Sequence, residues 1–241
     1  MAKEDSMTLL EHLDELRKRL TIIVIVNVLA TILLFGKTND IMTYLLAVNP
    51  GLDLVYITPS ELLAVYIKIS FIIAIVICSP VTIYQIWAFI EKGLYKNEKI
   101  YIAITLVFGV MLFVIGVLFC YFLVLPTTLD FFIRIAIEEV TSMISIDSYV
   151  SFVNTMLLSF GVVFELPVLV FLLTKLEILK PEFLKKNRGI IIVGIFVVAA
   201  FITPPDVISQ IMLALPLMLL MEISILICTF VDKFNRKKAD A

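Results

Sequence analysis

Six long stretches of the chain carry no charge: 20–36, 69–90, 100–129, 148–164, 189–205 and 207–221. The fourth and sixth resume beyond one glutamate each, Glu165 and Glu222. A helix crossing the ~30 Å hydrocarbon core needs about 20 mostly apolar residues, so these stretches predict membrane spans. They lie at about 20–36, 66–90, 100–125, 149–174, 189–203 and 207–229. Ahead of them, 8–19 predicts an amphipathic helix. Leu9, Leu13, Leu16 and Leu20 share a face at steps of three to four residues, and Thr8 and Glu11 have capping-box spacing.

The polar connections change in kind along the chain. The first outer segment holds Asn49-Pro50-Gly51 and Thr58-Pro59, both turn signals. Pro80 and Gln85 interrupt the second span, which predicts a kink. The third span is expected to end at Pro126, and a further amphipathic helix is expected within 127–147. The fifth is short. About 15 residues separate Gly189 from Pro204-Pro205-Asp206, only ~22 Å of helix. The tight reversal there predicts two short C-terminal spans that thin the bilayer or shelter against neighbouring protein. No internal repeat is visible.

Charge then orients the bundle. Lys3, Arg17, Lys18 and Arg19 precede the first span, and Lys92, Lys96 and Lys99 lie between the second and third. Lys175, Lys180, Lys185, Lys186 and Arg188 lie between the fourth and fifth, with Lys233, Arg236, Lys237 and Lys238 in the tail. On the other side stand only Lys37 and Arg134, with Lys68 at the start of the second span. Positive loops stay cytoplasmic, so both termini are expected inside.

Composition narrows the class further. With 61% hydrophobic and 17% charged residues, the sequence excludes a soluble or disordered chain. The expectation is an all-α membrane protein with six transmembrane helices, forming a single polytopic domain over 1–241. The acid-bearing N-terminus (Glu4, Asp5, Glu11) does not read as a cleavable leader, which fits a multi-pass protein of a bacterial cytoplasmic membrane. Cys78, Cys120 and Cys228 lie in apolar runs and read as small hydrophobes. His12 is the only histidine, which rules out a HExxH zinc site; no metal or cofactor is expected.

A few polar residues stand out against this apolar background. Glu165, in Phe164-Glu165-Leu166-Pro167, places an acid inside the membrane at about 2.5–3.5 kcal/mol on insertion scales. Such acids face a bundle interior or a wet cavity, either as functional groups or as protonated packing contacts. Glu222 carries the same two readings. Gln210, Ser209 and Asp206 could cap a hairpin or bind a partner, and Lys68 reads as a snorkelling side chain. Glu15 with Arg19 one turn on, and Glu98 between Lys96 and Lys99, read first as solvated ion pairs. Carboxylates at a basic membrane face are also receptors for guanidinium groups, which bind bidentately where lysine cannot.

Several longer strings recur together. They are His12-Leu13-Asp14-Glu15-Leu16-Arg17-Lys18-Arg19-Leu20; Ser79-Pro80 with Tyr84-Gln85-Ile86-Trp87-Ala88-Phe89; and Leu94-Tyr95-Lys96-Asn97-Glu98. Then come Tyr121 to Pro126, Phe160-Gly161-Val162-Val163-Phe164-Glu165-Leu166-Pro167, and Thr203-Pro204-Pro205-Asp206-Val207-Ile208-Ser209-Gln210. Over nearly its full length the chain resembles the TatC family, the core component of the twin-arginine protein translocase. The resemblance implies a concave, glove-shaped bundle that receives twin-arginine signal peptides of folded cargo and exports them with the proton motive force.

By the same resemblance, Glu15 and Glu98 would grip the two arginines, with Arg17 and Phe89 on the same surface. Glu165 and Gln210 would meet single-span subunits of the TatA/TatB type, and Pro204, Pro205 and Asp206 would form the structural turn. Other copies of the chain and the lipid bilayer are implied partners; nucleic acid and enzymatic chemistry are not. Glu91-Lys92 departs from the family pattern before Gly93-Leu94. Two other classes fit the sequence less well. A proton-coupled solute transporter relaying through Glu165 lacks the usual repeat. An intramembrane hydrolase lacks paired aspartates or histidine within the spans.

Overall fold

Backbone polar groups in hydrocarbon must bond within their own segment, so the apolar stretches fold as helices. The computed structural model describes residues 9–48, 51, 54–91, 99–135, 143–175, 177–202 and 207–239. In chain order these form α1 (Leu9–Phe35), α2 (Thr38–Ala47), β1 (Leu54–Val55), α3 (Pro59–Glu91), α4 (Lys99–Phe119) and α5 (Leu125–Ile135). There follow β2 (Ile144–Ser145), α6 (Ile146–Val163), α7 (Leu166–Lys175), α8 (Pro181–Lys186), α9 (Arg188–Ile202) and α10 (Val207–Ala239). Among the described residues, five helical stretches are long and apolar enough to cross a membrane, and α9 is a shorter apolar helix. The molecule is an all-α membrane protein.

Proline chemistry sets where these helices run on and where they stop. Pro80 lies inside α3, which continues through it unbroken. Proline lacks the N–H that would bond the carbonyl four residues back, at Val76. The Ser79 hydroxyl donates to that carbonyl instead, at 2.7 Å. Pro126 does not break the helical path. One π-helical turn, Cys120–Val124, closed by the Leu125 N–H on the Cys120 carbonyl, carries α4 into the amphipathic α5.

The stretch read as one span over 149–174 is two helices. A turn at Phe164-Glu165 separates α6 from α7, because Pro167 offers no N–H to continue the ladder. The Glu165 N–H bonds the Val162 carbonyl at 3.1 Å, and the Glu165 carbonyl then starts α7 by accepting from Val168 and Leu169.

α6 occupies the centre. Val150, Val153, Met156, Leu157 and Phe160 are buried, and the helix packs on α3 and α4. Glycines bring α4 and α6 together. A methyl on Gly116 would lie 2.7 Å from the Phe160 carbonyl oxygen, and one on Gly161 would lie 2.8 Å from the Phe113 ring. α1, by contrast, packs along α3 and leaves most of its apolar side chains facing outward.

One end carries the charged turns of α1, α8 and the end of α10, and is termed the basic end. The opposite end is closed by α2 and by β1 paired parallel with β2 in the register Leu54↔Ile144 and Val55↔Ser145. Neither α2 nor the strand pair was foreseen from the sequence. Both are fixed by long-range bonds. The Tyr121 hydroxyl donates to the Tyr44 carbonyl (2.7 Å) and Tyr149 to the Leu45 carbonyl (3.0 Å). The Glu61 carboxylate accepts from the Ile57 N–H at 2.7 Å and from the Ser145 hydroxyl. Lys68 does not snorkel alone, as it donates to Asp147 at 2.5 Å and to the Ser151 hydroxyl at 3.1 Å.

Candidate functional site

At the basic end, α1 turns one stripe of side chains toward α3. His12, Glu15 and Arg19 recur at steps of three and four and share a helix face; Gln85 and Phe89, four apart on α3, share another. Arg19 Nε donates to Glu15 Oε1 at 2.6 Å, and its Nη1 donates to Gln85 Oε1 at 2.9 Å. The His12 and Phe89 rings lie 4.5 Å apart, tilted by 35°.

This pair differs from an ordinary solvated one. The Arg19 and Glu15 side chains are only 16% and 13% exposed. Gln85 is the polar group that makes this possible, since a buried guanidinium needs acceptors beyond a single carboxylate. Trp87 is buried against a small core with Ile83, Phe113, Val168 and Leu172, which holds the C-terminal part of α3 on α4 and α7.

Of the residues expected to form this surface, Glu15 is linked to α3 through Arg19 and Gln85, and Phe89 is linked to α1 through His12. Arg17 is exposed on α1, two residues from Glu15 and so on a different face. Glu98 lies outside the described residues, as do Pro204, Pro205 and Asp206. From spacing alone Arg19 is an ordinary helix neighbour of Glu15, and Gln85 only a polar break in a span. Gln85 was the available signal: an amide in an apolar run implies a partner on another helix.

Glu165 sits at the α6–α7 turn with its carboxylate over Gly109 of α4. A methyl there would lie 3.0 Å from Oε2 and 3.5 Å from Oε1. Oε1 is buried without a hydrogen-bond partner among the described residues. Nearby, α4, α7 and α10 line a half-open, mainly apolar pocket of about 240 Å³ that includes Thr105, Phe108, Leu112, Pro167, Phe171 and Ile227. Gln210 donates from Nε2 to the Phe196 carbonyl at 2.8 Å, tying α10 to α9. Glu222 forks onto Arg188, with Nε to Oε1 at 2.7 Å and Nη2 to Oε2, so it clasps α10 to the start of α9.

Similarity to known proteins is consistent with this architecture over most of its length. The family model for the Sec-independent protein translocase protein (TatC) matches residues 11–216. The TatC of Carboxydothermus hydrogenoformans is 38% identical over 232 residues, covering 95% of this chain and 96% of that one. The TatC of Escherichia coli K12 is 38% identical over 235 residues, covering 95% and 91%. A crystal structure of the twin arginine translocase receptor TatC superposes with a TM-score of 0.81 at 37% identity, covering 92% of this chain and 99% of the other. A second, of the receptor in the detergent DDM, gives 0.82 at 38% identity over 90% and 98%. The chain belongs to the TatC family of Sec-independent protein translocase proteins.

Proposed function

We propose that this chain is the receptor subunit of a twin-arginine translocase, capturing signal peptides of folded cargo at its basic end. The supporting observation is that the Glu15 carboxylate already holds a guanidinium, at 2.6 Å, which is itself bonded to Gln85, with the His12–Phe89 ring pair about one turn of α1 away. An arginine of a signal peptide presents the same fork, and a lysine does not. Glu98 would take the second arginine, and Arg17 would border the site. The positive-inside rule assigns the basic end to the cytoplasm, with both termini inside a bacterial cytoplasmic membrane.

The signal's apolar segment would then lie along the bundle within the bilayer. Glu165 and Gln210 would contact single-span partner subunits, the open Oε1 of Glu165 being an acceptor for a polar group on such a helix. No phosphate-binding loop is present in the sequence, so the proton motive force would drive transport. The test is binding of a fluorescent twin-arginine signal peptide, and of its Lys-Lys counterpart, to the full chain in detergent. Glu15→Gln and Glu98→Gln should each weaken Arg-Arg binding by at least about tenfold, the loss of one charge-assisted bond. Equal affinity for the two peptides, or unchanged binding in both variants, would overturn the reading.

A further inference from the structure

We infer that Arg19 is a resident competitor: it occupies the guanidinium position on Glu15 that an incoming arginine must take, and so sets the affinity threshold of the site. This rests on the proposed reading of Glu15 as an arginine receptor. Arg19 makes its ion pair within one helix, but its second bond crosses to Gln85, 66 residues away on α3. A pair left in solvent would contribute little and would exchange freely. Here the Glu15 side chain is only 13% exposed, and its Oε1 is held by a guanidinium that also bonds Gln85. A ligand guanidinium that forks onto both oxygens of Glu15 therefore has to displace Nε of Arg19 from Oε1.

Gln85 makes that displacement feasible. When Arg19 leaves Glu15 its Nη1 retains an acceptor, so the cation is not stranded against the apolar face of α3. The apparent dissociation constant of any ligand is its intrinsic value divided by the fraction of receptor whose site is open. Arg-Arg and Lys-Lys peptides are then weakened by the same factor. Their ratio is untouched, but the weaker ligand is pushed below useful occupancy at a concentration where the stronger still binds. Selectivity in use is raised without any change in contacts to the ligand.

The test measures both fluorescent peptides on the full chain in detergent, with elution and thermal melting as checks on folding. Arg19→Gln should tighten both by a common factor of about five, and Arg19→Lys, a point charge without the fork, should fall between it and wild type. If Arg19 merely orients Glu15, the order reverses and both variants weaken binding. That result, or no change, overturns the inference. Should Arg19→Gln fail to fold, the direction of the Arg19→Lys shift decides alone. Glu15→Gln separates the two ideas. If it binds the Arg-Arg peptide like wild type, the receptor role of Glu15 falls. If it weakens binding while the Arg19 variants fail to tighten it, only the competitor falls.

Discussion

Ser79 resolves the difficulty that Pro80 creates inside α3. The carbonyl of Val76 would otherwise stand without a donor at membrane depth, where water cannot reach it cheaply. Its hydroxyl supplies the missing bond at 2.7 Å while remaining 2% exposed. Ser79→Ala should therefore lower stability by about 1–2 kcal/mol, read as a drop in melting temperature in detergent; Ser79→Thr should retain most of it. The adjacency Ser79-Pro80 was visible in the sequence, yet its meaning depends on a hydroxyl rotamer that no pattern of apolar positions encodes. The same holds for Glu15. Its spacing from Arg19 predicted an ion pair, but the burial of that pair comes from Gln85, and a contact across 66 residues leaves no periodic trace.

At the scale of elements, the seam between α4 and α6 is built on absent side chains. Gly116 meets the backbone oxygen of Phe160, whereas Gly109 meets only the movable end of Glu165 and a methyl of Ile83. The two glycines of one helix should then respond differently to a single methyl. Gly116→Ala must separate the helices and should cost about 1–3 kcal/mol by thermal melting. Gly109→Ala should leave melting within about 0.5 kcal/mol of wild type, because the carboxylate can swing aside. Most long helices could be read from the apolar runs, because a membrane leaves helix as the only economical choice for an isolated stretch. What could not be read were the junctions. The π turn before Pro126, the break before Pro167 and the helix α2 all depend on how local backbone bonds are redistributed, and their apolar content resembles that of their surroundings.

For the molecule as a whole, the charge asymmetry and the two differently built ends make orientation testable. A cysteine in place of Thr43, exposed on α2, should react with a membrane-impermeant thiol reagent added outside intact cells. One in place of Lys186, exposed in α8, should react only after the membrane is opened. The native Cys78, Cys120 and Cys228 are buried and should stay silent in both. The reverse pattern would place the proposed receptor surface on the wrong side. The one-sided seam of α1 bears on how the protein is made. As the chain leaves the ribosome, this helix enters lipid before α3 exists, so it must be at home in the bilayer as a solitary strut. That requirement accounts for its outward ring of Val24, Ile25, Leu29, Ile32 and Leu33. The single amide of the stretch, Asn27, turns its Nδ2 back on the Ile23 carbonyl at 2.8 Å, so this donor is satisfied within α1 and calls for no neighbour during synthesis.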